Sequence, residues 1–137
     1  MLYAVAGSQL YIGQPSDWLL IRSAESLGSP GVSWATVDVT YVGSEHVEMI
    51  RGPMAPRSMQ IVLAVDSDDP GQAALWQAAH GSGIAGFRLV LSDGAAWREW
   101  EALIIGIGEA FDAANSVVRL LVDLQINSKI RKSEAAP

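Results

Sequence analysis

A single short segment with helical signals, residues 66–83 (DSDDPGQAALWQAAHGSG), interrupts a chain whose other apolar segments have the pattern of β-strands. Asp69 is a favourable N-cap, Pro70 suits the first helical position, and Gln72 stands at capping-box spacing from the cap. We expect the helix to end at Gly81, because glycine favours helix C-termini. The apolar stripe is narrow and consists of Ala74, Leu75, Ala78 and Ala79. Such a small stripe predicts one helix that lies close against a sheet.

The segments on both sides of this helix alternate between apolar and polar residues, as half-buried strands do. In residues 33–43, SWATVDVTYVG, one face carries Ala35, Val37, Val39 and Tyr41, and we expect that face to be buried. Residues 57–66 and 116–126 alternate in the same way, and Asp93-Gly94 predicts a tight hairpin turn. The pattern predicts a mainly β fold, a β-sandwich or an open barrel, with one α-helix inserted between strands.

The chain is expected to form a single domain over residues 1–127, followed by a loose polar tail over residues 128–137. Residues 1–13 are predicted to form a small hairpin or an extended N-terminal arm. Residues 43–56, GSEHVEMIRGPMAP, are predicted to form a long loop, because two prolines and two glycines break the segment. A broken loop that is also this apolar usually has a partner that covers it.

Charge and composition exclude several classes of protein. The formal net charge of −6 argues against binding to nucleic acid through phosphate contacts, which needs clustered lysine and arginine. The absence of cysteine excludes disulfides and thiolate metal sites. The N-terminus lacks the basic segment of a signal peptide, and no apolar run is long enough to span a bilayer. We therefore expect a soluble protein that is made in a cytoplasm and does not associate with membranes.

The clusters of ionisable residues favour structural roles over metal binding. His46 lies between Glu45 and Glu48, but this is an incomplete ligand set, and a solvated loop is the favoured interpretation. The aspartates in residues 66–69 resemble the start of a calcium loop. The glycine and glutamate that such a loop needs are missing, and favourable charge at a helix N-terminus explains the aspartates. His80 is expected to stabilise the C-terminus of the helix.

No group of residues predicts catalysis. Glu99 and Glu101 alternate on one strand face, as an acid–base pair can, but a wetted strand face is the favoured interpretation. The serines have no GxSxG context, and GIGEAF has no lysine and leads into no helix. Core or interface positions are favoured over a ligand cage for the five tryptophans, Trp18, Trp34, Trp76, Trp97 and Trp100. We expect no enzymatic activity, no metal site and no cofactor.

From residue 57 onward the predicted order of elements is strand, capped helix, strand, Asp-Gly hairpin, strand, turn and strand. The segments QIVLAVD, DDPGQAALWQAA, FRLVLSDG and EALIIGIGEAF…SVVRLLVDLQI resemble the tail tube proteins of long-tailed bacteriophages, the lambda-like major tail proteins. Upstream, VDVTYVGSEHVEMIRGP is similar to the strand and long loop that precede this core in the family. The resemblance covers most of the chain and rests on element order and turn chemistry.

The resemblance implies a structural virion protein, the major tail tube subunit, which assembles into six-membered rings that stack into a hollow tube. The sheets of neighbouring subunits would join into one inner barrel. The loop at residues 43–56 would contact adjoining subunits or rings through Val47, Met49, Ile50, Arg51 and Met54. Asp38 and Asp123, which lie on polar strand faces, are the expected lumen-facing residues.

The same resemblance implies the partners and the location. An acidic lumen would let DNA pass without specific binding, because like charges oppose phosphate contacts. The implied protein partners are further copies of this chain and the tape-measure, tail-terminator and distal tail proteins. The subunit would be assembled in the host cytoplasm and located in the virion tail.

Two alternatives remain open at the level of sequence. The nearer one is a tail-completion or terminator protein, or a tube subunit of a contractile tail or secretion system, because these share the expected fold. The one from a different class is a small-ligand-binding β-barrel with tryptophans around a pocket. The sequence leaves open the host, the tube length, the type of tail and the strand faces that line the lumen.

Overall fold

The computed structural model describes residues 2–14 and 16–133 and contains ten strands and one helix within them. In chain order the elements are β1 (Gln9–Gln14), β2 (Asp17–Ile21), β3 (Ala24–Ser26), β4 (Ser33–Asp38), β5 (Met49–Ala55), β6 (Arg57–Ala64), α1 (Pro70–His80), β7 (Ile84–Val90), β8 (Trp97–Ala110), β9 (Arg119–Ile126) and β10 (Arg131–Lys132). This confirms the predicted mainly β fold with one inserted helix. Within the described residues, no helix is long and apolar enough to cross a membrane.

One long strand, β8, belongs to two layers of the main sheet, in which the strand order is β2-β1-β7-β8-β9-β6-β3. Up to Leu103 it pairs with β7, and from Ala102 onward it pairs with β9, both antiparallel. Its register with β9 shifts between Ile104 and Gly106, which marks a β-bulge, and bulges bend strands. We call β2, β1, β7 and the first half of β8 the first layer. The second half of β8, with β9, β6 and β3, is the second layer.

The two layers enclose one hydrophobic core. Phe87 of β7 and Trp100 of β8 stack at its centre with ring centroids 6.0 Å apart. The predicted inward face of β9 is confirmed by the burial of Leu120, Val122, Leu124 and Ile126. The inward face of β6 is confirmed by the burial of Met59, Ile61 and Leu63. This alternation fixes the register, because a slip by one residue would turn a whole apolar face to water.

Asp69 is the N-cap of α1, as predicted, and its side chain joins the helix to the first layer. Its Oδ1 accepts a hydrogen bond from the Gly71 N–H at 3.1 Å, and its Oδ2 accepts one from the Arg22 N–H at 2.8 Å. Gly71 lets the helix approach β2 closely, because a Cβ at this position would collide with the Leu20 carbonyl oxygen. The close contact that the small apolar stripe predicts is confirmed by the complete burial of Leu75.

The predicted capping box is wrong, because the Gln72 side chain forms its hydrogen bonds with residues at the ends of β2 and β6 and not with the N-cap residue. Its Oε1 accepts a hydrogen bond from the Asp66 N–H at 3.0 Å. Its Nε2 donates to the Arg22 and Ala64 carbonyls at 3.2 and 2.8 Å. The buried amide therefore ties the helix to the ends of β2 and β6. The predicted stop at Gly81 is confirmed, since its N–H donates into the last helical turn.

The N-terminal arm predicted at residues 1–13 is wrong from Gln9 onward; Met1 lies outside the described residues. β1 is an inner strand of the first layer and pairs with β2 on one side and β7 on the other. Its Leu10 and Ile12 side chains are buried in the core. Their burial explains the difference, since an arm could not contribute core residues.

The long loop predicted at residues 43–56 is also shorter than expected. Its second half is β5, which pairs with β4 in a separate two-stranded sheet. The strand predicted at residues 33–43 is confirmed over β4, but the expected buried face is wrong, because all six residues of β4 are exposed. The reason is that β4 and β5 pair with each other and, in the described part of the chain, with no strand of the main sheet.

The loose tail predicted at residues 128–137 is wrong for residues 128–133, where the chain returns to the sheet as β10 and pairs with β8. The Ser133 N–H donates to the Trp97 carbonyl at 3.0 Å, and the Trp97 N–H donates to the Ser133 Oγ at 2.6 Å. Residues 134–137 lie outside the described part of the chain. A strand of two residues is too short to show an alternating pattern, so periodicity could not reveal it.

The dual bonding of Asp69 predicts a large effect on stability. Asp69→Ala should lower the free energy of unfolding by about 2–3 kcal/mol, because it removes the helix cap and leaves the Arg22 N–H without its partner. Asp68→Ala is the matched control, since Asp68 is exposed and carries the same charge; its effect should stay below about 0.5 kcal/mol. Urea unfolding followed by tryptophan fluorescence measures both. Equal losses in the two variants would contradict this role of Asp69.

Candidate assembly interface

The β4–β5 hairpin carries the residues that the sequence predicts as contacts between subunits. All five are exposed, with Val47 before β5 and the others on it: Met49, Ile50, Arg51 and Met54. Val47 is 69% exposed and Ile50 is 55% exposed. An isolated two-stranded hairpin is at best marginally stable in water, so a hairpin this apolar favours a covering surface. The assembly role of these residues stays a prediction.

Apolar side chains are exposed on both faces of the hairpin. On one face Trp34 lies opposite Met54, and the Arg51 guanidinium stacks over the Trp34 ring at 4.4 Å. On the other face Val37 lies opposite Ile50. A hairpin that covered its own domain would bury one of these faces. Exposure of both shows that the described part of the chain covers neither face.

The hairpin tip, residues 39–48, begins after Asp38 and carries several charges. The Asp38 carboxylate accepts a hydrogen bond from the Thr40 N–H at 2.8 Å, and hydrogen bonds from the Thr40 side chain and backbone lower the pKa of Asp38. His46 Nε2 lies 3.7 Å from the Glu48 carboxylate, and both side chains are exposed, as expected for a solvated loop. No group of three potential metal ligands occurs in the described residues.

The outer face of the second layer, which points away from the core, carries Asp123. Its Oδ1 accepts a hydrogen bond from Gln60 Nε2 at 2.9 Å. Gly106 faces it from β8, and a Cβ there would lie 3.0 Å from Asp123 Oδ2, so the glycine leaves room for the carboxylate. The two predicted lumen residues are not brought together, because Asp38 is on the hairpin and Asp123 is on the main sheet.

A second polar cluster on this face surrounds Arg119. Its Nε donates to Glu25 Oε2 at 2.7 Å, and its Nη1 lies 3.5 Å from Asp112 Oδ2. The hydrogen bond to Glu25 is the main cause that raises the pKa of Arg119. Together, the Asp123 and Arg119 clusters contain three carboxylates and one guanidinium, so this face carries a net negative charge. Sequence reasoning missed the cluster because Glu25 and Arg119 are 94 positions apart.

The second layer has a free backbone edge on each side. On one side, in the part of the chain that the structure describes, β3 pairs with β6 only. On the other side β7 covers β8 up to Leu103, whereas β9 pairs with β8 as far as Ala110. Within the described residues, positions 105–110 therefore have an unpaired edge. A free edge presents a row of unpaired N–H and C=O groups and is a template for pairing with another chain.

Glu99 is buried, which corrects the wetted-face interpretation, whereas Glu101 is exposed as expected. The Glu99 carboxylate lies 3.6 Å from Arg88 Nε and 3.6 Å from Arg131 Nε. Arg88 also stacks over the Trp97 ring at 4.8 Å. These contacts hold β10 along the first half of β8. That edge is thus closed within the chain, in contrast to the open edges of the second layer.

The tryptophans do not assemble around a common pocket. A cleft of about 720 Å³ lies between α1 and the β1–β2 pair, and Trp18 lines it, whereas Trp100 is in the core. The remaining three are dispersed beside other residues: Trp34 beside Arg51, Trp76 beside His80 and Trp97 beside Arg88. His80 ends the helix, as predicted. This dispersion argues against the ligand-binding barrel that the sequence left open.

No protein family model matches the chain, and no curated protein matches it. Solved structures do match. The chain is similar to a protein in the tail of an empty gene transfer agent particle, refined with C6 symmetry, with a TM-score of 0.72 and 15% identity over 92% of this chain and 95% of that one. It is similar to a protein of the sixfold-symmetrised baseplate of the anti-feeding prophage, with a TM-score of 0.71 and 13% identity over 97% of both chains.

A third similar structure is the SPP1 tail tube, with a TM-score of 0.66 and 13% identity over 96% of this chain and 78% of that one. At these identities the likeness establishes the fold, while the lambda-like subdivision stays a prediction. The chain therefore has the tail-tube fold that its sequence resemblance predicts.

Proposed function

We propose that this chain is the tube subunit of a phage-type tail, a structural virion protein without enzymatic activity that assembles into stacked six-membered rings. The observation that carries the proposal is that the described part of the chain leaves strand edges unpaired and an apolar hairpin uncovered. Within residues 2–14 and 16–133, its second layer has two free edges, and its hairpin exposes apolar side chains on both faces. The sixfold symmetry of the similar gene transfer agent tail supports the number of copies.

Edge pairing between copies would close each ring. β3 of one copy would add to the free edge of β8, residues 105–110, in the next copy. Six copies of a four-stranded layer would form a barrel of twenty-four strands. Full closure is the arrangement that removes every strand edge, and it explains why these edges can stay open in the single chain.

The outer face of the second layer would then line the lumen. Asp123, Glu25 and Asp112 outweigh Arg119 on this face, and repetition around the ring would make an acidic wall. Such a wall repels phosphate, so DNA would pass without specific binding. Asp38 stands on the hairpin, and we assign it to contacts between copies instead of the lumen.

The remaining parts of the proposal follow from this role. Tape-measure, tail-terminator and distal tail proteins would meet the tube along its lumen and at its ends. The subunit would be assembled in the host cytoplasm and located in the virion tail. A terminator or cap subunit of the same fold would instead form one ring, and a tube of a contractile system would be enclosed by a sheath.

Electron microscopy of the purified, concentrated chain tests the proposal, and we expect stacked tubes. The double variant Val37→Ser with Ile50→Ser should lose tubes while its unfolding free energy changes by less than about 1 kcal/mol, because both side chains are exposed. Ile84→Ser is the matched control, since Ile84 is 51% exposed but lies outside the hairpin, and it should form tubes normally. A chain that stays monomeric at every concentration, or that forms single rings only, would contradict the tube role.

A charge reversal on the outer face tests the route of DNA. Tubes of Asp123→Lys that assemble in the presence of short duplex DNA should protect it from nuclease, because each copy adds a cation to the lumen, and added salt should release it. Glu101→Lys is the matched control, since Glu101 is exposed on the first layer, and it should give no protection. Equal protection by the two variants would contradict the assignment of this face.

A further inference from the structure

The β4–β5 hairpin and the turn between β8 and β9 leave the second layer at opposite ends. β5 runs into β6 through Pro56, so the hairpin leaves the layer at the Arg57 end. Arg119 pairs with Ala64, so residues 111–118, which we call the distal turn, lie at the other end. The eight residues of β6 separate the two ends by about 25 Å.

The distal turn is apolar, hollow and held in shape by its own hydrogen bonds. Phe111 is 74% exposed and Val117 is 56% exposed, and the turn surrounds a hollow of about 230 Å³. The Ser116 N–H and Oγ both donate to the Ala113 carbonyl, at 3.0 and 2.8 Å. Val65, 39% exposed, lies against the turn, because its N–H bonds to the carbonyl of Val118. A surface of this kind can receive an apolar side chain without rearranging.

The hairpin tip offers such side chains. Tyr41 is 65% exposed and Val42 is fully exposed, and neither is covered by the rest of the chain. The acidic groups on or beside the tip outnumber its single histidine, His46: Asp38, Glu45 and Glu48. Two tips placed together would therefore bring like charges into contact. The distal turn avoids this repulsion, because its one carboxylate, Asp112, is paired with Arg119.

We propose that the distal turn of one copy is the receptor for the hairpin tip of the next copy along the tube axis. The inference rests on the proposed function and names the two surfaces that stack one ring on another. Each copy then carries its hairpin and its receptor at opposite ends of the second layer, which β6 spans over about 25 Å. A head-to-tail contact of this kind leaves a free receptor at one end and a free tip at the other, so growth continues. A tip-to-tip contact would stop after two rings.

Disulfide cross-linking tests this pairing, because the chain has no cysteine of its own. Val42→Cys and Val117→Cys are made as separate proteins, mixed in equal amounts, assembled and then oxidised. A disulfide needs Cα atoms within about 7 Å, so the bond can form only where a tip meets a distal turn. We expect a covalent dimer on a non-reducing gel from the mixture, whereas either variant assembled alone should stay uncross-linked.

Phe111→Ser gives an independent readout. The side chain is exposed, so the variant should fold, form rings and fail to stack them, while Ile84→Ser should stack normally. Tubes from the cysteine mixture without the covalent dimer would overturn the inference, as would dimers of Val42→Cys alone or full-length tubes of Phe111→Ser. These outcomes leave the proposed function intact. A wild-type chain that forms neither rings nor tubes contradicts the proposed function itself.

Discussion

The sharing of β8 between two layers is the constraint on which the rest of this fold depends. A single flat sheet of the seven strands in this order would leave both faces of most strands in water. β8 pairs with β7 up to Leu103 and continues along β9, with a bulge between Ile104 and Gly106, and the two layers bury Phe87 and Trp100 between them. The same departure from β7 is what leaves the edge at residues 105–110 open. The passage of β8 from one layer to the other therefore accounts for both the enclosed core and the unpaired edge.

Some strand edges are covered within the described chain and others are not, and this difference supports the proposal of an assembling subunit. The first half of β8 is covered by β10, which the buried Glu99 contacts through Arg131. Among the described residues, nothing covers the outer edges of the second layer, and the β4–β5 hairpin exposes apolar side chains on both faces. Full burial of one large apolar side chain contributes about 1.5–3 kcal/mol, so covering several of them would offset the entropy of ordering the hairpin. In the described residues, apolar side chains are thus buried in the core and exposed on the hairpin.

The sequence was informative where a residue's partner is close in the chain or where its side chain faces the core. Local chemistry predicts the helix cap at Asp69 and the turn at Asp93-Gly94, and alternation predicts the inward faces of β6 and β9. All four features are present in the structure. The alternation that begins at residue 33 is a true strand signal over β4, but the inference of a buried face is wrong, because in the described residues β4 pairs with β5 only. The glycines beside β1 resemble a chain break, so the sequence pattern predicts an arm there. This prediction is wrong because β1 pairs with β2 and β7, which the local pattern does not reveal.

The candidate site was less predictable for the same reason. The exposed hairpin residues could be found by their apolar character within a broken segment, and Asp123 by its place on a polar strand face. The Arg119 cluster and the burial of Glu99 depend on residues that are distant in sequence, and the exposure of Phe111 depends on where β8 ends. Such juxtapositions are set by topology and leave no local pattern.

The central claim is that the second layer lines the lumen and that its free edges join neighbouring copies. A cryo-electron microscopy reconstruction of tubes assembled from the wild-type chain tests it most directly. We predict backbone pairing between β3 of one copy and residues 105–110 of the next, with Asp123 facing the channel. A tube in which the outer face of this layer points to the exterior, or in which these edges stay unpaired, would contradict the account.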